Sequence, residues 1–266
     1  MNKKYTWKKQ KEDARDYTFE QFATLKKVST TSLPTVVNNR PFCSAVEDQG
    51  QLGSCTANAW AGLLQYNECK NGRGGKLYND LSRLFIYYNE RVIENSVSTD
   101  SGAELRDGAT SIAKQGVCIE KEWPYNINKF TIKPTAKCYT DALPNVIHSY
   151  YSLDSTNSTT LLNNLKSCLA AGQCFVFGFE VYDYFESDQM ANTGVLQLPQ
   201  PSESDLGGHA VMAIGYNDSQ QRFLIRNSWG KGWGLKGNLD GYFTMPYTYI
   251  TNPKLASDFW TVIRDI

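Results

Sequence analysis

Val46–Glu47–Asp48–Gln49–Gly50–Gln51–Leu52–Gly53–Ser54–Cys55 runs directly into Thr56–Ala57–Asn58–Ala59–Trp60–Ala61. A glycine-punctuated loop meets an alanine-rich apolar segment, and a cysteine stands at the junction. Ser54 is a preferred N-cap residue and Ala57, Ala59 and Ala61 are strong helix formers, so a helix is expected to open at Cys55. The first turn of a helix carries unpaired N–H groups and the positive end of the macrodipole, which favour a thiolate over a thiol. Cys55 is therefore a candidate nucleophile. An isolated cysteine at a helix start is more simply a buried structural thiol. Catalysis requires that the chain also supply a base and a group to orient it.

Outward from this junction, residues 33–48 read as extended, punctuated by Pro34 and Pro41. The helix opened by Ser54 is expected to reach about Lys70 and, being apolar nearly all round, to be buried. A second helix is expected over residues 80–94, with Leu81, Leu84, Phe85 and Tyr88 forming a stripe. A third is announced by the capping box Ser101–Gly102–Ala103–Glu104 and stopped by Gly116. Residues 123–134 read as an aromatic loop region, and a fourth helix spans 158–171 before Gly172. Strands follow at 174–181, 209–216, 222–227, 241–245 and 259–263. A helical half followed by a strand-rich half is an α+β layout.

The 266 residues suffice for a well-buried core, and 41% hydrophobic content is that of a globular chain. Lys+Arg and Asp+Glu balance at 27 each, so no global field draws nucleic acid or an anionic membrane. No run approaches the ~18–20 apolar residues of a membrane span. The first nine residues lack the apolar core of a signal peptide. The seven cysteines are an odd number, so at least one thiol is free; without a secretory signal, reduced buried cysteines are expected rather than a disulfide framework. No C-x-x-C pair occurs and there are two histidines, so neither a metal site nor a cofactor is expected.

With two histidines the search for a base is short. His148, in Asn145–Val146–Ile147–His148–Ser149, has no fixed polar neighbour in sequence. His209 follows Gly207–Gly208 and opens a buried strand; taken alone it would be an ordinary histidine. Eighteen residues on comes Asn227–Ser228–Trp229–Gly230–Lys231–Gly232–Trp233–Gly234. A hairpin of that length returns Asn227 beside His209, where its amide can accept from the imidazole.

Gln49…Gly53–Ser54–Cys55, Gly208–His209–Ala210 and Asn227–Ser228–Trp229–Gly230–x–x–Trp233–Gly234 resemble, in order and spacing, the active-site blocks of the papain-like cysteine peptidases. The likeness is to the cathepsin B/L-like group, as seen in microbes and large DNA viruses. It covers roughly residues 33–266, with Leu33–Pro34 similar to the start of a mature enzyme. The resemblance implies a two-lobed fold with a helical left lobe, an antiparallel β-barrel-like right lobe and a cleft between them. It implies a thiol endopeptidase acting through a thioester acyl-enzyme. In it Cys55 attacks as a thiolate paired with protonated His209, Asn227 orients the imidazole, and Trp229 shields their hydrogen bond. Gln49 and the Cys55 backbone N–H form the oxyanion hole, where losing one donor typically costs ~10²–10³ in rate. Gly53, Gly102, Ala103, Gly208 and Trp229 are the implied substrate-binding residues, with Gly102–Ala103 pairing with substrate backbone as an added strand. Gly178, Gly207, Gly208 and residues 255–258 line the implied specificity pocket. The expected partners are polypeptide substrates and epoxysuccinyl- or cystatin-type inhibitors, with no nucleic acid and no membrane, and the chain is read as a monomer. Cytoplasmic, virion-associated or lytic-compartment locations all remain open.

The departures are informative. The family usually has a cysteine where Leu52 stands, bridged to one near Asp100; with both missing, Leu52 is expected to be buried and hydrophobic packing to hold the loop. Thr56 replaces the usual aromatic after the nucleophile. A long helical propeptide is not found before Leu33. Residues 1–32, with an aromatic patch from Tyr17 to Phe22, are read as a short pro-segment that covers or abuts the cleft. Residues 33–150 then form the helical lobe and 151–266 the β-rich lobe. Another papain-fold acyl transferase or amidase, or a non-catalytic binding homologue, are the alternatives.

Overall fold

The computed structural model describes residues 3–71 and 80–263. Helix α1 (Phe19–Lys26) opens where Thr18 N–H donates to Gln21 Oε1 at 2.8 Å, and it buries Phe19 and Phe22. Helix α2 (Cys55–Lys70) begins at the expected residue, and every side chain from Cys55 to Asn67 is buried. Ser54 does not cap it; its hydroxyl is engaged by Tyr125 Oη at 2.5 Å and Asn58 Nδ2 at 3.1 Å.

Helix α3 (Arg83–Ile93) starts later than expected. Leu81 bridges to Ile119 as a strand residue, and Ser82 Oγ then caps by accepting from Phe85 N–H at 3.1 Å. Helix α4 (Leu105–Gln115) likewise ignores the expected capping box. Ser101 Oγ bonds to Ser96 Oγ instead, and Gly102 holds φ +68° just before the helix. Gly116 closes α4 at φ +71° as expected. Just after the region read as loop comes a helix the sequence reading did not expect, α5 (Ala136–Ala142), with Thr135 as its N-cap. Helices α6 (Ser158–Ala170), α7 (Asp188–Thr193) and α8 (Tyr247–Ile250) complete the set.

The strands are β1 (Val36–Asn38), β2 (Ser149–Ser152), β3 (Phe175–Tyr182), β4 (Asp205–Asn217), β5 (Arg222–Arg226), β6 (Tyr242–Pro246) and β7 (Ala256–Ile263). They form one antiparallel sheet in the order β2-β7-β3-β4-β5-β6, with β1 added along β4. The expected barrel-like lobe is thus an open sheet, since β2 and β6 lie at opposite ends of that order. It also draws β1 and the start of β2 from the half of the chain read as helical. No helix among the described residues is long and apolar enough to cross a membrane.

Two contacts set the site. Gly62 brings α2 close to β4 and β5, since a Cβ there would stand 2.9 Å from Arg226 Nη1 and 3.5 Å from Met212 Sδ. The hairpin of β4 and β5 pairs Met212 with Arg226, which carries Asn227 back towards His209.

Candidate active site

The nucleophile candidate occupies the first turn of α2, and its Sγ lies against the Ala210 backbone N–H, one residue beyond His209 on β4. His209 Nε2 donates to Asn227 Oδ1 at 2.8 Å, which also accepts from Ser228 N–H at 2.9 Å. That bond assigns the Nε2–H tautomer and leaves Nδ1 without a partner. Trp229 lies over the ring, with centroids 5.4 Å apart, and Phe179 and Phe185 complete an aromatic enclosure. His148, by contrast, is exposed and away from this cluster.

Gln49 is fully buried. Its Oε1 accepts from Ser228 Oγ at 2.6 Å, which turns the NH₂ the other way, where one proton reaches Leu52 O at 3.1 Å. The Gln49 N–H bonds to Ser228 O at 2.9 Å and Gly230 N–H to Glu47 O at 2.9 Å, so the two active-site loops are laced backbone to backbone. Tyr125 supports this loop from below, donating to Gln49 O at 2.9 Å, while the Arg83 guanidinium lies 4.0 Å over its ring.

Leu52 is buried, as expected. Packing is not the only thing holding the loop, however. Asp100, near where the resemblance would put the missing cysteine, accepts from Gly53 N–H at 2.9 Å and from Tyr87 Oη at 2.5 Å. Thr56 takes no aromatic role: its hydroxyl donates to Glu90 at 2.8 Å, a fully buried carboxyl raised to about 8 by desolvation.

All five expected substrate-binding residues touch one segment of the chain itself. Residues 3–9 lie along the cleft. Thr6 Oγ1 donates to Gly53 O at 2.9 Å, and the Thr6 carbonyl sits over Gly102, where a Cβ would meet it at 1.7 Å. Trp7 N–H bonds to Gly208 O at 2.9 Å and Lys8 N–H to Ala103 O at 3.1 Å. The Lys3 ammonium lies 5.4 Å from the Trp229 ring. The Trp7 indole, only 5% exposed, fills the space above Gly178 and Gly208, where a Cβ would come within 1.9 and 2.4 Å of it. Gly207 meets Tyr5 instead, and Asp258 accepts from Gln10 N–H at 2.9 Å. Lysines of this segment pair with carboxylates from residues 33–150: Lys3 with Asp48, Lys4 with Asp100, and Lys8 with Glu94.

This cover changes the charge state expected from the helix dipole. Burial pushes the Cys55 thiol up to about 11, outweighing the Ala210 and Thr56 N–H groups that oppose it. Burial also pulls His209 down to about 4 against the Asn227 hydrogen bond, and the Lys3 charge adds to that. Burial thus opposes both the thiolate and the imidazolium in the covered chain.

Sequence reading missed Tyr125, Tyr87, the Asp100 carboxylate and Glu90; residues 3–7 lay within the segment read as a cover but were not singled out. Of the four missed side chains only Asp100 carried a signal, as lying near the place of an absent cysteine.

Residues 33–259 match the papain family of cysteine proteases. An uncharacterized peptidase C1-like protein of Acanthamoeba polyphaga mimivirus is 44% identical over 218 residues, covering 81% of this chain and 68% of its own. Xylellain, a cysteine protease from Xylella fastidiosa, superposes with a TM-score of 0.86 at 38% identity, covering 99% of each chain. Bromelain from Ananas comosus, solved in complex with the E64 inhibitor, shares the fold with a TM-score of 0.64 at 20% identity, over 88% of this chain and all of its own. The chain belongs to the papain family, with the papain-like α+β fold, and is a cysteine peptidase.

Proposed function

We propose that this peptidase is a thiol endopeptidase whose triad is Cys55, His209 and Asn227, with Gln49 and the Cys55 N–H as the oxyanion hole. The observation that carries this reading is the bond from His209 Nε2 to Asn227 Oδ1, which leaves Nδ1 unpartnered on the strand whose next N–H meets the thiol. Nδ1 takes the thiol proton, the thiolate attacks the scissile carbonyl, and the oxyanion is met by Gln49 Nε2–H and Cys55 N–H. His209 then protonates the leaving amine, and a water activated by the same nitrogen hydrolyses the thioester. Asn227 stabilises the imidazolium without taking its proton. Gly102, Ala103 and Gly208 offer the backbone groups that a bound peptide would use, the same groups that now hold Thr6, Trp7 and Lys8.

The occupied cleft supports a second part of this reading: residues 3–9 hold the enzyme inactive until displaced. Once the cleft is open, an epoxysuccinyl inhibitor is expected to alkylate Cys55, and casein to be cleaved by the uncovered protein but not by its Cys55→Ala form. Cleavage that survives Cys55→Ala, or labelling of a different cysteine, would overturn the assignment.

A further inference from the structure

We infer that Asp100 is a positioning residue for the oxyanion loop, serving through hydrogen bonds where the family's usual bridge is missing. The inference rests on the proposed roles of Gln49 and Cys55. The Asp100 side chain is 11% exposed and lies 47 residues from the loop it holds. Its Oδ1 accepts from Gly53 N–H at 2.9 Å and from Tyr87 Oη at 2.5 Å, and its Oδ2 lies 3.2 Å from the same Gly53 N–H. Tyr87 Oη in turn accepts from Gly102 N–H at 3.2 Å. One carboxylate and one phenol therefore join the loop carrying both oxyanion donors to the glycine that lies under the cleft's occupant. Gly53 stands two residues before Cys55, so a shift of this N–H moves the helix start with it.

The same carboxylate has a second partner. Oδ2 pairs with the Lys4 ammonium at 2.5 Å, so the group that fixes the loop also ties down the cover. The two oxygens divide the tasks, and substitution can separate them. Asp100→Asn keeps an oxygen for Gly53 and Tyr87 but loses the ion pair with Lys4. Asp100→Ala loses both.

Two measurements on the full chain test this. The first is amide hydrogen exchange over residues 49–55. Exchange there is expected to be at least about tenfold faster in Asp100→Ala, because the anchored N–H loses its partner, and close to the parent rate in Asp100→Asn. The second is steady-state peptide hydrolysis normalised to active sites titrated with an epoxysuccinyl inhibitor. Turnover per titrated site is expected to fall about 10- to 100-fold in Asp100→Ala, with KM changed less than about twofold. Asp100→Asn is expected to recover most of the turnover. A merely structural role would lower the titrated fraction and leave turnover per site unchanged, which would overturn the inference. So would unaltered exchange in Asp100→Ala. Failure of Cys55 to be titrated even after the cover is displaced, as in Trp7→Ala, would instead remove the catalytic reading on which the inference rests, while the exchange result would still stand or fall alone.

Discussion

Cys55 and His209 are each enclosed from several sides. The enclosure includes Tyr5, whose ring meets the imidazole edge-on at 6.1 Å, and the Trp229 indole. With water excluded, both groups shed charge. Below its raised pKa the thiolate fraction climbs about tenfold per pH unit. In the full-length chain, Cys55 alkylation by iodoacetamide is therefore expected to be slow at neutral pH and to rise steeply on alkalinisation. His209, neutral above about 4, supplies no imidazolium to flatten that slope. Once the cover is displaced, water and the helix dipole act on the thiol again. The rate near neutrality should then increase and depend less on pH. A flat, fast profile in the covered chain would contradict this. The triad candidates were legible at this scale because residue type, order and local turn chemistry survive in a linear string. Asp100, Tyr125 and Glu90 were not, since each acts through a partner 34 to 76 residues away that only tertiary packing selects.

At the scale of elements, two kinds of segment escaped sequence reading. Helix α5 spans seven residues and the part of β2 outside the expected lobe is shorter still, too few for a hydrophobic period to declare itself. The helix starts of α3 and α4 were displaced because Leu81 and Ser101 found partners off their own helix. The cover was legible as residues 1–32, argued in part from an aromatic patch near α1, whereas the residues that lie in the cleft are Tyr5, Thr6 and Trp7. Trp7 is its principal anchor. Truncating a buried tryptophan removes on the order of 3 kcal/mol, which makes an open cleft about a hundredfold more populated. Trp7→Ala in the full chain is thus expected to raise peptide hydrolysis by one to two orders of magnitude, measured with a fluorogenic peptide. An unchanged rate would mean that the cover does not limit access.

Over the whole molecule, all seven cysteines are free, five of them buried, so no covalent cross-link holds the lobes or the loops. Thermal unfolding is expected at the same Tm with and without a thiol reductant; a drop of about 5 °C or more on reduction would reveal a bridge. The bonds that replace cross-links reach between distant parts of the chain. One set fastens the cover at a second place: Phe22 packs on Tyr151 with centroids 5.7 Å apart, and Arg106 bonds both Asp16 and the Lys11 carbonyl. The segment in the cleft is thereby leashed by a short span of chain to an anchor on the protein's own surface. Its effective concentration at the cleft is on the order of millimolar, above what most free peptides reach. Occupancy by the leashed segment is a unimolecular equilibrium, indifferent to dilution. A cut in the span between Gln10 and Thr18 would make it bimolecular, so that dilution alone would empty the cleft. The same seven residues supplied as a separate peptide would then compete on ordinary terms with any other.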